Sequence, residues 1–245
     1  MTRIQDFVNI NTLLTPAPLP GIETGILKIS TALNQVLHVK SYHSLNSLKN
    51  TFFKKQDFTR LFLSDSEIDT VNRFKAKKKQ LEWMAGRLLV KRMVQAGHAP
   101  EKSLQEIQIS HHEKGAPFLV NSPGIKISIS HSDDYAAAAV CSDKNQDIGI
   151  DIEKIGSLPD TSFLNLAFTE KEINTMALTP CDIFKKWTVK EAYLKYIKLG
   201  FNESLHRVEI IDDTILYHGQ KVRVSVFSTI IHSNYAVSLI TGPAC

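Results

Sequence analysis

Apolar and polar positions alternate most regularly between residues 125 and 153. Ile125, Ile127 and Ile129 interleave with Lys126, Ser128 and Ser130, Tyr135 to Cys141 is an apolar run, and Ile148, Ile150 and Ile152 interleave with Gly149, Asp151 and Glu153. A period of two sends successive side chains to opposite faces of a strand, so three strands are predicted, separated by a Ser130-His131-Ser132 corner and an Asp143-Lys144-Asn145 turn. Shorter strand-like pieces lie at Ile107 to Ser110, after the turn Glu113 to Pro117, and at 207–211, 215–217, 222–229 and 235–241. Helical spacing appears elsewhere. Phe74, Leu81, Met84, Leu88 and Met93 share one face of a helix that Gly97 and Pro100 end, and Ser64-Asp65-Ser66-Glu67 is a helix start before it. Phe163 to Leu166 continues helically, and Thr169-Glu170-Lys171-Glu172 reads as a capping box for a helix to about Leu178 that Pro180 breaks. Phe184, Trp187, Glu191 and Leu194 then mark one face of a helix from Phe184 to Lys198. Residues 1–25, with Pro16, Pro18, Pro20 and Gly21, read as an extended arm; Ile26 to Val39 reads as a strand or two; His43 to Thr59 has no clear pattern.

An echo organises these elements. Ser130-His131-Ser132-Asp133-Asp134-Tyr135-Ala136 and Ile231-His232-Ser233-Asn234-Tyr235-Ala236 each follow a strand and precede an apolar one. The expected fold is α+β, in two pseudo-symmetric halves, each a helix packed on a small antiparallel sheet. The division is placed at residues 1–145 and 146–245.

Two elements carry suspicious charge. Asp151 and Glu153 share the strand face opposite the isoleucines, and paired carboxylates are unfavourable without a cation between them. A divalent-metal site and a solvated edge strand both satisfy this pattern. Glu191 interrupts an apolar helix stripe, which costs several kcal/mol unless the carboxylate is paired or bound to a cation. It is either a third ligand or the partner of Lys195, four residues on. The basic residues Arg73, Lys75, Lys77, Lys78, Lys79, Lys91 and Arg92 read as a solvated helix face, with Arg87, next to Gly86, as the one aimed at an anion. His131 reads either as a structural histidine or as part of a site at its strand end.

Composition narrows the setting. The chain of 245 residues has 43% hydrophobic content, enough for a substantial core, and a net charge of +4 that fits an anionic ligand or acidic partner without indicating nucleic acid. No aromatic stacking pattern accompanies the basic helix, which also argues against nucleic acid. Cys141, Cys181 and Cys245 lack disulfide or zinc spacing. No apolar run reaches 18 residues and the N-terminus lacks a signal-peptide plan, so no membrane association and a cytoplasmic setting are expected.

Five pieces occur in one order: EWMAGR, GAPF, SISHS, GIDIE and FKKWTVKEAYLK. Over roughly residues 60 to 241 this set resembles the 4'-phosphopantetheinyl transferases, in particular the larger surfactin-type and enterobactin-associated group. The resemblance implies transfer of the phosphopantetheine arm of coenzyme A to a serine of an apo acyl or peptidyl carrier protein, a monomer with its active site in the cleft between the halves, and Mg²⁺, replaceable by Mn²⁺, as cofactor. It implies Asp151, Glu153 and Glu191 as metal ligands, and Glu191, Lys195 and Glu153 as catalytic residues. Coenzyme A would be held by Arg87, Lys114, Ser130, His131, Asp151, Lys190 and Lys195. Two departures stand out: Ala116 precedes the proline where many members have lysine, leaving Lys114 as the nearest cation, and Trp83 replaces an arginine, leaving Arg87 for the phosphate. A nucleotide-pyrophosphate hydrolase and a non-catalytic binding module are the alternatives; the first lacks dense acidic motifs here, and the second would be favoured by loss of residues that are all retained.

Overall fold

The computed structural model describes residues 7–9, 19–32 and 56–245, and the tract 33–55 with most of the N-terminal arm lies outside them. Two antiparallel sheets form the frame. The first runs β1 (Phe7–Asn9), β2 (Ile22–Lys28), β6 (Tyr135–Cys141), β5 (Lys126–Ser132), in that spatial order; the second runs β11 (Ser225–Ile231), β12 (Tyr235–Pro243), β7 (Gln146–Lys154). Small hairpins are added by β3 (Ile109–His111) with β4 (Pro117–Leu119), and by β8 (Val208–Ile211) and β9 (Thr214–Tyr217) with β10 (Gln220–Lys221). The helices are α1 (Asp65–Asn72), α2 (Lys77–Gly97), α3 (Thr161–Ala167), α4 (Glu170–Thr175) and α5 (Pro180–Tyr196).

The two halves follow one plan. In each, a strand (β2 or β7) leads to a long helix (α2 or α5), and a later hairpin (β5–β6 or β11–β12) returns its second strand beside the first. The echoed segments form the turns of these two hairpins, where Tyr135 stacks on His232 at 4.9 Å and meets Tyr235 edge-on at 4.7 Å. Aligning Tyr135 with Tyr235 sets the register. Ala138 pairs with Gly25 where Ser238 pairs with Asp151, and Ala136 pairs with Leu27 where Ala236 pairs with Glu153. The first half thus has glycine and leucine at the places of the two carboxylates.

Alternation explains the layering. Ile148, Ile150 and Ile152 meet Ile22, Ile26, Ala137, Ala139, Val237 and Leu239 in an apolar layer between the sheets. The opposite face of each sheet takes a helix: Leu81, Met84, Leu88 and Met93 of α2 pack with Leu27, Ala136 and Ala138, while Ala192, Tyr193 and Tyr196 of α5 pack with Ile240. Gly149 lets α5 lie close on β7, since a Cβ there would stand 1.9 Å from the Ala192 carbonyl oxygen.

A buried ion pair is duplicated with the frame. In the first half, Lys91 Nζ donates to Glu67 Oε2 at 2.5 Å and to the Phe62 carbonyl at 2.7 Å, while Glu67 closes a capping box on Ser64. In the second, Lys190 Nζ donates to Glu172 Oε2 at 2.7 Å and to the Ala167 carbonyl at 2.8 Å, while Glu172 closes a capping box on Thr169. Each glutamate's other oxygen accepts a strand N–H, from Ile109 in one case and Ile210 in the other. Each pair therefore ties a short helix, a long helix and a strand together.

Several expectations change. Lys91 is not on a solvated face; it is fully buried on Glu67. Ile22 to Gly25 belong to a sheet strand rather than to an extended arm, because they pair with β6 and Ile22, like Ile26 beyond them, faces the layer between the sheets. Pro180 does not merely end a helix: it opens α5 behind the Thr179 cap, since a proline at the first helical position loses no hydrogen bond. The preceding helix ends at Thr175, short of Leu178.

Candidate active site

Asp151 is the hub of a polar cluster where β5, β7 and α5 meet. It is 2% exposed. Its Oδ1 accepts from Ser130 Oγ of β5 at 2.6 Å and from Lys195 Nζ of α5 at 2.7 Å. Its Oδ2 is buried with no hydrogen-bond partner among the described residues. Glu153, two residues along the same strand face, accepts from Ser132 Oγ at 2.7 Å. Glu191 lies on the turn of α5 before Lys195 and is buried. Burial, and then the charge of Asp151, push Glu191 up to about 8 and Glu153 up to about 7.

A cavity of about 550 Å³ opens beside this cluster. Glu191 and Lys195 line it together with the Lys114-Gly115-Ala116-Pro117 turn, the aromatic ring of Phe118, and Lys126, Asp147 and Lys198 at its far side. Residues of both halves form its walls. Lysines outnumber carboxylates around a mostly apolar lining, which suits an elongated anion with an apolar part.

Two family models meet at this cleft. One, of the 4'-phosphopantetheinyl transferase superfamily, matches residues 147–240; the other, described as 4'-phosphopantetheinyl transferase, N-terminal, matches residues 53–143. The chain belongs to the 4'-phosphopantetheinyl transferase superfamily. It is 31% identical over 144 residues to an L-aminoadipate-semialdehyde dehydrogenase-phosphopantetheinyl transferase of Xenopus laevis, covering 51% of this chain and 46% of that protein. To the 4'-phosphopantetheinyl transferase gsp of Aneurinibacillus migulanus it is 28% identical over 165 residues, covering 63% and 66%. The chain thus spans about half the length of the vertebrate relatives it matches. A solved holo-(acyl-carrier-protein) synthase from Bacillus anthracis, in complex with CoA (3',5'-ADP), aligns at 22% identity over 49% of this chain and 92% of that one, with a TM-score of 0.34.

The transferase residues expected from the sequence do not all gather at the cleft. Asp151, Glu153, Glu191, Lys195 and Ser130 do, and Lys114 lines the same cavity. The expected Glu191–Lys195 ion pair gives way to a bridge from Lys195 to Asp151, because β7 brings a second carboxylate within reach of the same ammonium. Ser130 gives its hydroxyl proton to Asp151 rather than leaving it for a ligand. His131 stands beside Glu82 at 3.9 Å, and burial with the nearby Lys195, Lys78 and Lys79 lowers it to about 4, so its imidazole is neutral near pH 7.

Two expectations are corrected. Arg87 is 3% exposed, stacks on Trp83 with its guanidinium carbon 3.2 Å from the ring centroid, and meets His111 Nε2 at 3.1 Å. It is absent from the cavity lining, and burial lowers it to about 9. Its task is to pack α2 against β3. Lys190 is likewise withdrawn: fully buried, it donates to Glu172 and to the Ala167 and Leu205 carbonyls, which uses all three of its protons. Sequence reasoning missed Ser132, Lys126, Lys198 and Asp147. Only Ser132 left a signal, as the third serine in the alternation along β5.

The donor set suits a hard divalent cation. Among the described residues no group of three or more His, Cys, Asp or Glu side chains is placed to hold a metal ion. Mg²⁺ does not need such a group, since it takes one or two carboxylates and keeps waters or substrate oxygens. The partnerless oxygen of Asp151 and the raised Glu153 and Glu191 are what three carboxylates show when one lysine alone offsets them.

That crowding has a pH signature. The unfolded chain releases the Glu191 proton near 4.5, whereas the folded chain keeps it up to about 8. Between these values the folded state binds the extra proton, so this group's contribution to stability falls as pH rises. In EDTA, the urea midpoint of the wild type relative to Glu191→Gln is expected to drop steadily from about pH 4.5 to 8. A constant difference across that window would show that Glu191 titrates normally.

Proposed function

We propose that this transferase moves the 4'-phosphopantetheine arm of coenzyme A onto a serine of an apo acyl or peptidyl carrier protein and releases adenosine 3',5'-bisphosphate. The observation that carries the reading is the Lys195–Asp151 bridge beside Glu191 at the wall of a lysine-lined cavity. The carrier serine oxygen forms a bond to the pantetheine-side phosphorus, and the bond from that phosphorus to the adenosine-side phosphate oxygen breaks. Glu191, in its deprotonated form, accepts the serine proton, and its raised value of about 8 makes it a stronger base than an ordinary carboxylate. Lys195, fixed by Asp151, presents a cation to the phosphate in transfer. Asp151, Glu153 and Glu191 would hold Mg²⁺ or Mn²⁺, which would neutralise charge developing on the pyrophosphate. Lys114 offers a cation to the far end of coenzyme A. The boundary between the halves is placed at the Asp143–Asn145 turn, the working unit is a monomer, and its setting is cytoplasmic; no described helix is long and apolar enough to cross a membrane.

The test is incubation of the full chain with coenzyme A, Mg²⁺ and apo carrier proteins, followed by mass measurement of the carrier. A gain of about 340 Da, the mass of the group that coenzyme A carries, is expected. Release of adenosine 3',5'-bisphosphate without a carrier would point instead to a hydrolase, and no reaction across several acyl and peptidyl carriers would overturn the transfer reading.

A further inference from the structure

Three serines alternate along β5, and their hydroxyls all reach out of their own sheet. Ser128 and Ser130 pair across the ladder with Ala139 and Ala137, on the face turned towards the apolar layer between the sheets. Beyond that edge lies β7, which belongs to the other sheet. Side chains make the join. Ser128 Oγ accepts the Ile150 N–H at 3.0 Å, and Ser130 Oγ donates to Asp151. Ser132 Oγ does both: it accepts the Lys154 N–H at 3.1 Å and donates to Glu153 Oε2 at 2.7 Å.

The double engagement of Ser132 has a chemical meaning. A hydroxyl can rotate its single proton to any acceptor within reach. Here the backbone N–H of Lys154 fills one lone-pair direction, which turns the proton away from that donor and towards the carboxylate. Glu153 needs such a restraint. It is repelled by Asp151 and Glu191, and without a partner a glutamate at the rim of a cluster gains hydration by swinging outward.

We propose that Ser132 is a positioning residue of the active site: its hydroxyl, set by the Lys154 N–H, holds the Glu153 carboxylate beside Asp151 so that the two share one divalent cation. This rests on the metal-dependent reading given above. In this role Ser132 acts through Glu153.

The test uses the full chain and Mn²⁺ alone, with bound metal read by electron paramagnetic resonance in the absence of coenzyme A and carrier. Threonine and valine have the same shape and differ by the hydroxyl. Ser132→Thr is expected to bind Mn²⁺ as the wild type does, and Ser132→Val to bind it roughly 10-fold or more weakly, the usual effect of losing an outer partner of a metal ligand. Ser132→Ala gives the same hydroxyl-free comparison with a smaller side chain, should valine crowd the strand. Equal affinity of the threonine form and both hydroxyl-free forms would overturn the positioning role and leave the transfer reading standing. A wild type that modifies a carrier but binds no Mn²⁺ would also overturn it, and a wild type that does neither would remove the metal-dependent reading with it.

Discussion

Asp151→Asn is expected to lower the rate of carrier modification by roughly 10³-fold, the scale of losing a preorganised charge at a reacting centre together with a metal ligand. The substitution preserves shape and removes charge. Lys195 then loses the negative charge that fixes it at 2.7 Å, and Ser130 is left with a neutral amide oxygen in place of its carboxylate acceptor at 2.6 Å. The same change relieves Glu153 and Glu191, both of which Asp151 holds up. Relief of that repulsion offsets the lost ion pair, so the variant is expected to fold. Its residual rate should also begin at lower pH, because Glu191 and Glu153 deprotonate earlier. Initial rates from carrier mass, taken across pH, check both parts. A variant with wild-type turnover would remove Asp151 from the centre of the site.

The largest effect on stability is expected at a pair that takes no part in the chemistry. Lys190 and Glu172 are both 0% exposed. Replacing one leaves the other as an unpaired buried charge, a loss of about 3–5 kcal/mol. Most domains have about 5–15 kcal/mol in all. Glu172→Gln should therefore bring the chain close to unfolding at room temperature. The double replacement Glu172→Gln with Lys190→Met should recover most of the loss, because it removes both charges together. Urea unfolding near pH 7 compares the two variants with the wild type. The recovered double variant should also retain its KM for coenzyme A, which a lysine in contact with that ligand would not allow.

The contrast between these two lysines shows what the sequence can convey. Strand alternation at Ile148 to Glu153 and the helical stripe at Trp187, Glu191 and Leu194 are periodic, and both elements stand where the periods put them. The capping box at Thr169 and the helix start at Ser64 are equally legible, since a cap and its partner lie within three residues. Partners far along the chain were not. Lys91 has the spacing of a solvated residue, yet it finds Glu67 at a separation of 24 residues. Lys195 had a carboxylate four residues away and takes one 44 residues away. Arg87 had a glycine beside it that promised access, and Trp83 closes over it instead. Hydropathy reports which faces are buried, not which charges meet there.

The doubled frame has a bearing on how this chain can change over time. Both halves keep the capping-box glutamate, the buried lysine and the returning hairpin, but Gly25 and Leu27 stand in the first half where Asp151 and Glu153 stand in the second. The first copy carries neither of these acids on β2, and its part in the site comes from the β5 serines and the Lys114 turn, so β2 is bound by packing rather than by chemistry. The second carries the acids and has little freedom along β7. Change should accordingly be tolerated more readily along β2 than along β7 or the serine face of β5.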